Sequence, residues 1–411
     1  MSAAGHNGAW LAVVGLGEDG LAALAPAART LVDTAEVLVG GRRHHALVPG
    51  HPGERLIWRV PLRDTMADIA ARRGRRVTVL ATGDPMAYGI GTTLARHFAA
   101  EEMVVLPAPG AFSLAAARLG WSLGEVACLT LHGRPLSLLA SWLTPGARLL
   151  LLADDGGTAA QVAAHLCAAG WGSSRIVALA HMGGPEETRR EAIAAAWNDV
   201  PTADFVTLAV TCVPGPEARP LARVPGLPDD AFAHDGQLTK RAVRAATLAR
   251  LQPLPGQHLW DLGAGCGSIA IEWLRAAQNA DGRGATAVAV ERDAGRRALI
   301  ARNAATLGTP FLDIVGADSE EALARLYPPD AVFIGGGIST ALVERAVAAL
   351  KPGGRLVANT VSTEGEAVVL AARARHGGDL VRLAVSEVTT TGTRTVWRAL
   401  APVTQWALAR P

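Results

Sequence analysis

Asp261-Leu262-Gly263-Ala264-Gly265-Cys266-Gly267 lies between an apolar run at residues 258–262 and a helix-like stretch at residues 269–276. The apolar run reads as a buried strand, so the glycines occupy a strand-to-helix turn. Without β-carbons the backbone bends tightly there, and a bulky ligand can approach the helix N-terminus. A dinucleotide fingerprint needs its third glycine at position 268, where this chain has Ser268. The spacing D-x-G-x-G-x-G suits S-adenosylmethionine instead, whose sulfonium and amino acid end bring no pyrophosphate to cradle.

Working outward, apolar strands are expected at 258–262, 285–290, 312–315, 331–334 and 355–358, each followed by a helix-length segment. That rhythm implies a parallel sheet covered on both faces. Ligands of such sheets lie beyond the carboxyl ends of the strands. Asp261 ends the first strand. Glu291 ends the second, where an acid can accept both ribose hydroxyls. Asp318 follows the third and can accept from an adenine amino group, and Gly335-Gly336-Gly337 leaves open backbone after the fourth. Each acid taken alone also reads as a helix cap or a solvated loop residue. The last strands, at 383–389 and 395–400, flank a turn at Gly392 and are expected to form a hairpin adding an antiparallel edge.

Upstream, strand-like runs at 11–14, 77–80, 103–106, 148–153 and 205–210 alternate with alanine-rich helical stretches. Between them, Pro214, Pro216, Pro220, Pro225 and Pro228 interrupt any helix or central strand. A domain boundary is expected there, with separable pieces on either side. At 411 residues, two domains is the natural organisation. Half the residues are hydrophobic and the formal charge is +2, which gives no general electrostatic attraction to nucleic acid. The opening residues lack a charged segment followed by a long apolar core, and no run reaches the roughly 18 apolar residues of a membrane span. A cytoplasmic protein with neither membrane nor nucleic acid as partner is expected. Cys128, Cys167, Cys212 and Cys266 are too scattered for a disulfide framework or a metal site. Nearly all the positive charge is arginine, whose planar fork grips carboxylates bidentately.

In the N-terminal half, Gly15 and Gly17 follow a strand and precede a helix-like stretch at 24–31. Thr82-Gly83-Asp84-Pro85-Met86-Ala87-Tyr88-Gly89 follows the strand at 77–80. There Gly83 and Pro85 set an unusual backbone around Asp84. Pro109-Gly110-Ala111-Phe112-Ser113 comes after the next strand, and Leu131-His132-Gly133-Arg134-Pro135 after the one beyond. These segments resemble the tetrapyrrole methylases, the class III methyltransferases, and the His-Gly-Arg run resembles their corrin carbon-5 methylating branch. In the C-terminal half, His234-Asp235-Gly236-Gln237-Leu238-Thr239-Lys240, the glycine turn and the Gly335–Gly337 run resemble the decarboxylating methyltransferase domain of corrin biosynthesis. That family usually carries glutamate where this chain has Ala242.

The resemblance implies an α/β chain: a two-lobed tetrapyrrole methylase fold at 1–213, a proline-rich linker at 214–233, and a Rossmann-like class I methyltransferase domain at 234–411. It implies methylation of carbon 5 by the first domain, and methylation of carbon 15 with loss of a ring C acetate carboxyl by the second. The implied partner is a small tetrapyrrole (precorrin) substrate, and a homo-oligomer is expected. S-adenosylmethionine is expected at two sites per chain. The first comprises Gly15, Gly17, Gly83, Asp84, Pro85, Tyr88 and Ser113, and the second Gln237, Asp261, Gly263, Gly265, Gly267, Glu291, Asp318 and Gly335. His132, Arg134, Thr239 and Lys240 are candidates for the chemistry, with Arg134 and Lys240 gripping substrate carboxylates. Thr239 and Lys240 read equally well as a helix cap and a first-turn charge. A cobalt-containing corrin substrate, an RNA methyltransferase and a non-catalytic tetrapyrrole carrier remain as alternatives.

Overall fold

The computed structural model describes residues 9–198 and 201–411; the first eight residues, which carry the opening stretch read above, lie outside that description. The chain divides into two compact units, Met1–Gly133 with Gly146–Ala218, and Arg134–Pro145 with Arg219–Pro411.

Among the described residues, the first unit holds two five-stranded sheets. Strands β1 (Leu11–Leu16), β2 (Val37–Gly40), β3 (Glu54–Ile57), β4 (Val77–Thr82) and β5 (Met103–Leu106) pair in the order β3-β2-β4-β1-β5, all parallel. The whole of β1 is buried, which is why it reads as one unbroken apolar run. The second sheet contains β6 (Ala127–Thr130), β7 (Arg148–Leu152), β8 (Arg175–Ala180), β9 (Thr188–Ile193) and β10 (Val206–Thr211), in the order β6-β7-β10-β8-β9. Only its β6–β7 pair is parallel.

The second unit is built on a seven-stranded sheet. Its strands β11 (His258–Leu262), β12 (Thr286–Val290), β13 (Asp313–Val315), β14 (Ala331–Ile334) and β15 (Arg355–Thr360) are parallel. Strand β16 (Asp379–Leu383) and strand β19 (Val403–Ala409) complete the order β13-β12-β11-β14-β15-β19-β16, with β19 antiparallel to both its neighbours. The first strand is thus central, with its carboxyl end at the topological switch point where such folds bind ligands.

Three expectations need correction. The hairpin exists, as β17 (Ser386–Thr391) and β18 (Arg394–Ala399), but its strands pair only with each other. The antiparallel edge is supplied instead by β16 and β19. Trp406, fully buried on β19, anchors that edge. Trp397 in the hairpin is largely exposed.

The proline-rich stretch is also no slack linker. Leu227 and Phe232 are buried in the core of the second unit. The fully buried Arg244 donates to Glu272 Oε1 at 2.6 Å, to Asp229 Oδ1 at 3.0 Å and to the Leu227 carbonyl. Glu272 accepts in turn from the Gly226 and Leu227 amides at 2.5 and 3.0 Å. The prolines prevent regular structure, and side chains from neighbouring helices satisfy the exposed backbone instead.

Residues 134–145, grouped by the sequence with the N-terminal half, pack with the second unit. Leu138, Leu139 and Leu143 are buried. The buried Ser141 hydroxyl accepts from Arg275 Nη1 at 3.2 Å and Gln278 Nε2 at 2.9 Å, and is 3.1 Å from the Gly308 carbonyl. No run of hydrophobic periodicity marks this seat, because a single polar network and a few leucines define it.

Candidate functional site

In the second unit a cavity of about 500 Å3 opens over the carboxyl ends of the strands. Its lining brings together Gln237, Thr239, Lys240, Gly263, Gly265, Glu291, Asp318 and Gly335, gathered from positions almost 100 residues apart. The floor is the glycine turn. Gly263, Gly265 and Gly267 all have positive φ, at 72°, 60° and 80°. They do different work. A β-carbon on Gly263 would lie 2.7 Å from the Gly336 carbonyl oxygen, so this glycine permits two strand tips to touch. One on Gly267, which caps the helix Ser268–Ala277, would meet Ile300 at 2.9 Å. One on Gly265 would meet only the Gln237 carbonyl at 3.4 Å, and otherwise project into open space.

Asp261 lies beneath that turn and is wholly buried. Its Oδ2 accepts from the Ala270 amide at 3.0 Å, while Oδ1 is buried without a hydrogen-bond partner. Burial, with Glu291 adding a like charge nearby, raises its carboxyl to about 7. Glu291 ties the site together. It accepts from the Gly265 amide at 2.9 Å and the Asp293 amide at 3.0 Å, fastening the glycine turn to the second strand tip. Asp318 caps the short helix Ser319–Ala322 through Oδ1, which accepts from the Glu320 amide at 3.0 Å. Lys240 is the N-cap residue of the helix Arg241–Leu251, with no side-chain capping bond, and its Nζ lies 3.7 Å from Asp229 Oδ2. Thr239 contributes its carbonyl to Arg244 at 2.5 Å.

Sequence reasoning missed several residues of this cavity. Arg292, Arg296 and Asn359 line it. Arg296 is held by Asp235 at 2.8 Å, and Asn359 is fixed by Thr247 and Gln405, each at 2.9 Å. The adjacency of Arg292 to Glu291 was a usable signal; Asn359 had none, since its partners are 112 and 46 positions away.

The first unit presents a second glycine cradle at the ends of β1, β4 and β5. The Gly83 amide donates to the Leu16 carbonyl at 3.0 Å, and the Ala108 amide to the Gly83 carbonyl at 3.1 Å. A β-carbon on Gly15 would collide with the Gly83 carbonyl and the Ala108 amide. Gly83 has φ 55°, and a β-carbon there would lie 3.0 Å from the Gly110 α-carbon. Three loops expected to share one ligand therefore do meet, backbone to backbone. Asp84 Oδ1 accepts from the Met86 amide at 2.8 Å, closing the turn around Pro85. Tyr88, with φ 59°, donates its hydroxyl to the Cys128 carbonyl at 3.0 Å. Gly17 adjoins Asp19, whose carboxylate fills the space a side chain would need. Ser113 lies exposed in the first turn of the helix Ala111–Leu119.

The His-Gly-Arg run is divided. His132 Nδ1 is 2.9 Å from Asp154 Oδ1 in the first unit, both side chains largely exposed. The turn at Gly133, φ 61°, is followed by Arg134, the first residue of the segment that packs with the second unit.

Comparison with known proteins gives each half a family. Residues 11–195 match the Tetrapyrrole (Corrin/Porphyrin) Methylases, and residues 230–410 match the Precorrin methyltransferase domain. A precorrin-6Y C(5,15)-methyltransferase (decarboxylating) of Sinorhizobium sp is 44% identical over 402 residues, covering 97% of this chain and 96% of that protein. A Mycobacterium tuberculosis protein of the same name is 38% identical over 97% of this chain and 99% of its own. A cobalt-precorrin-7 C(5)-methyltransferase of Salmonella typhimurium is 34% identical over 41% of this chain and 82% of its own. With two glycine cradles, two matching families in the same order, and similarity running nearly end to end, the chain belongs to the precorrin-6Y C(5,15)-methyltransferase (decarboxylating) family.

Proposed function

We propose that the chain methylates a precorrin at carbons 5 and 15 and removes the carboxyl of a ring C acetate, as a bifunctional enzyme of cobalamin biosynthesis. The observation that carries this reading is the 44% identity across 97% of the chain to a protein so named. The metal-free substrate is favoured because the relatives matching the whole chain carry the precorrin name, while the cobalt-precorrin relative aligns over two-fifths of it.

We infer one S-adenosylmethionine in each unit. In the second, the fit rests on the partnerless Asp261 Oδ1 beneath the turn and on the open direction above Gly265. In the first, it rests on the backbone cradle of Gly15, Gly83 and Gly110, with Asp84 closing the turn beside it. Bound there, the cofactor supplies a methyl already activated by its sulfonium. The protein's remaining tasks are to hold a carbon nucleophile in line and to exclude water. Glu291 provides negative charge beside the cofactor, Asp261 offers its partnerless Oδ1 beneath the turn, and Lys240, Arg292 and Arg296 at the rim provide cations for substrate carboxylates.

The reading extends to a cytoplasmic homo-oligomer acting on a small molecule. Among the described residues no helix is long and apolar enough to cross a membrane. Cys128, Cys167 and Cys266 are free thiols, as suits a reducing compartment. The detached hairpin exposes Val388, Val396 and Trp397, a surface that a second copy would cover. Incubation with precorrin substrate and isotope-labelled cofactor tests the activity. Mass spectrometry should find two methyl gains and one carbon dioxide loss, and no mass change would refute it.

A further inference from the structure

The first unit contains a cluster that, apart from Thr82, lies outside the motifs above. Glu18, next to Gly17 in the loop after β1, accepts on Oε2 from His181 Nδ1 at 2.7 Å, and its Oε1 is paired with Arg43. Arg43 also donates to Thr82 Oγ1 at 2.9 Å and lies over the Phe205 ring at 4.0 Å. His44 Nε2 is 2.9 Å from the same Thr82 hydroxyl. Thr82 ends β4 and immediately precedes Gly83, so two of the three cradle loops contribute to the cluster, while Arg43 and His44 come from the helix Arg42–Leu47 and His181 from the end of β8. Glu18 and His181 are 163 positions apart.

We infer that His181 is the proton acceptor for methyl transfer in this unit, with Glu18 as its positioning residue; the inference rests on the carbon-5 methylation proposed above. His181 follows β8 with φ 50°, a left-handed backbone that side chains rarely adopt, and its amide is fixed on the Phe205 carbonyl at 3.1 Å. The fold thus holds an unfavourable backbone in order to present this ring. An imidazole donating Nδ1–H to a carboxylate keeps a lone pair on Nε2. Among the described residues none is hydrogen-bonded to that nitrogen. Among the described residues, the charged and titratable groups held against the ring's partner are Arg43 and, across Thr82, His44. Arg43 offsets the charge of Glu18.

The chemistry requires such an acceptor. The π pair of the ring carbon forms the new carbon–carbon bond while the methyl–sulfur bond breaks, leaving its electron pair on a neutral sulfur. The methylated carbon still bears hydrogen, and the ring system carries one positive charge. Transfer of that hydrogen, as a proton, to His181 Nε2 returns the C–H pair to the π system, and Glu18 stabilises the imidazolium. Nothing is oxidised or reduced.

The test uses the full chain with precorrin substrate and labelled cofactor. His181→Ala should keep carbon dioxide release and carbon-15 methylation and slow carbon-5 methylation by about 100-fold or more, with partial rescue by added imidazole. Glu18→Gln should displace the acid limb of the carbon-5 pH profile. Without substrate, the downfield NMR signal of the His181 Nδ1 proton held on Glu18 should move upfield in Glu18→Gln, a readout independent of turnover. Calorimetry should show unchanged binding of S-adenosylhomocysteine in both variants. Wild-type carbon-5 rates in His181→Ala, a loss without imidazole rescue, or loss of cofactor binding would each overturn the inference and leave His181 as a structural strut. Failure of the wild-type enzyme itself to methylate carbon 5 would instead refute the underlying function, and the inference with it.

Discussion

Alanine at Gly265 separates the energetics of the turn from those of the ligand. With φ 60°, a β-carbon there costs about 1–2 kcal/mol of backbone strain. Among the described residues, beyond its chain neighbours, that β-carbon meets only the Gln237 carbonyl at 3.4 Å, an ordinary contact, so no packing penalty is added. At roughly 2–4 °C per kcal/mol, melting should fall by about 2–8 °C and the protein should remain folded. The same methyl protrudes into the space assigned to the cofactor. Intrusion into a filled site costs about 1–3 kcal/mol, or roughly 5- to 150-fold in affinity. Gly263→Ala provides the contrast, because its β-carbon would press on the Gly336 backbone at 2.7 and 2.9 Å and should destabilise the unit more severely. Calorimetric titration with S-adenosylhomocysteine should give two equivalents for the wild type and one high-affinity equivalent for Gly265→Ala. A folded Gly265→Ala with both equivalents at unchanged affinity would show that the glycine turn is not the cofactor floor.

Burial raises Asp261 from 3.8 to about 7, so between those values the folded chain keeps a proton that the unfolded carboxyl has lost. The stability it confers is complete below about pH 4 and disappears as pH rises through about 7; Asp261→Asn should flatten that slope in melting curves, and an unchanged slope would refute the assignment. Asp84→Ala removes the acceptor for the Met86 amide and should impair carbon-5 methylation while carbon dioxide release continues; loss of decarboxylation instead would reverse the division of labour. A fragment beginning at Asp230 loses Leu227 and strips Glu272 of two amide donors, so it should melt well below one beginning at Arg219, in keeping with the ~3–5 kcal/mol cost of breaking a buried ion-pair network. Ser141→Ala leaves Arg275 and Gln278 short of a buried partner and should cost about 1–3 kcal/mol by denaturant titration, whereas no change would mean that residues 134–145 do not support the second unit.

The legible parts of the chain were those where one local pattern carries one local structure. Strands β11, β12 and β14 are mostly apolar runs because both their faces are covered, and the turn at Gly263, Gly265 and Gly267 follows from glycine chemistry alone. Strand β19 escaped notice because Thr404 and Gln405 break its apolar pattern, yet both are buried and bonded, Gln405 to Thr247 and Asn359. The hairpin was visible, but nothing in its alternation reveals that neither strand reaches the main sheet. The prolines around 214–228 suggested looseness, whereas the buried Arg244–Glu272 pair recruits that backbone as lining for a core. Glu18 and His181 could not be associated from spacing, since they are 163 positions apart and follow strands of two different sheets, β1 and β8.

The seat of residues 134–145 also imposes an order on synthesis. Ser141 leaves the ribosome well before its partner carbonyl at Gly308, which lies 167 positions later. At about 5–20 residues per second, the segment waits roughly 8–30 s before its binding groove is even translated. During that interval Leu138, Leu139 and Leu143 have no partner surface, although the chain on both sides of them already belongs to an earlier unit. The nascent chain therefore carries an apolar stretch that chaperones can grip for about two-fifths of elongation, and the last half of the polypeptide is needed to finish packing a segment from its first half.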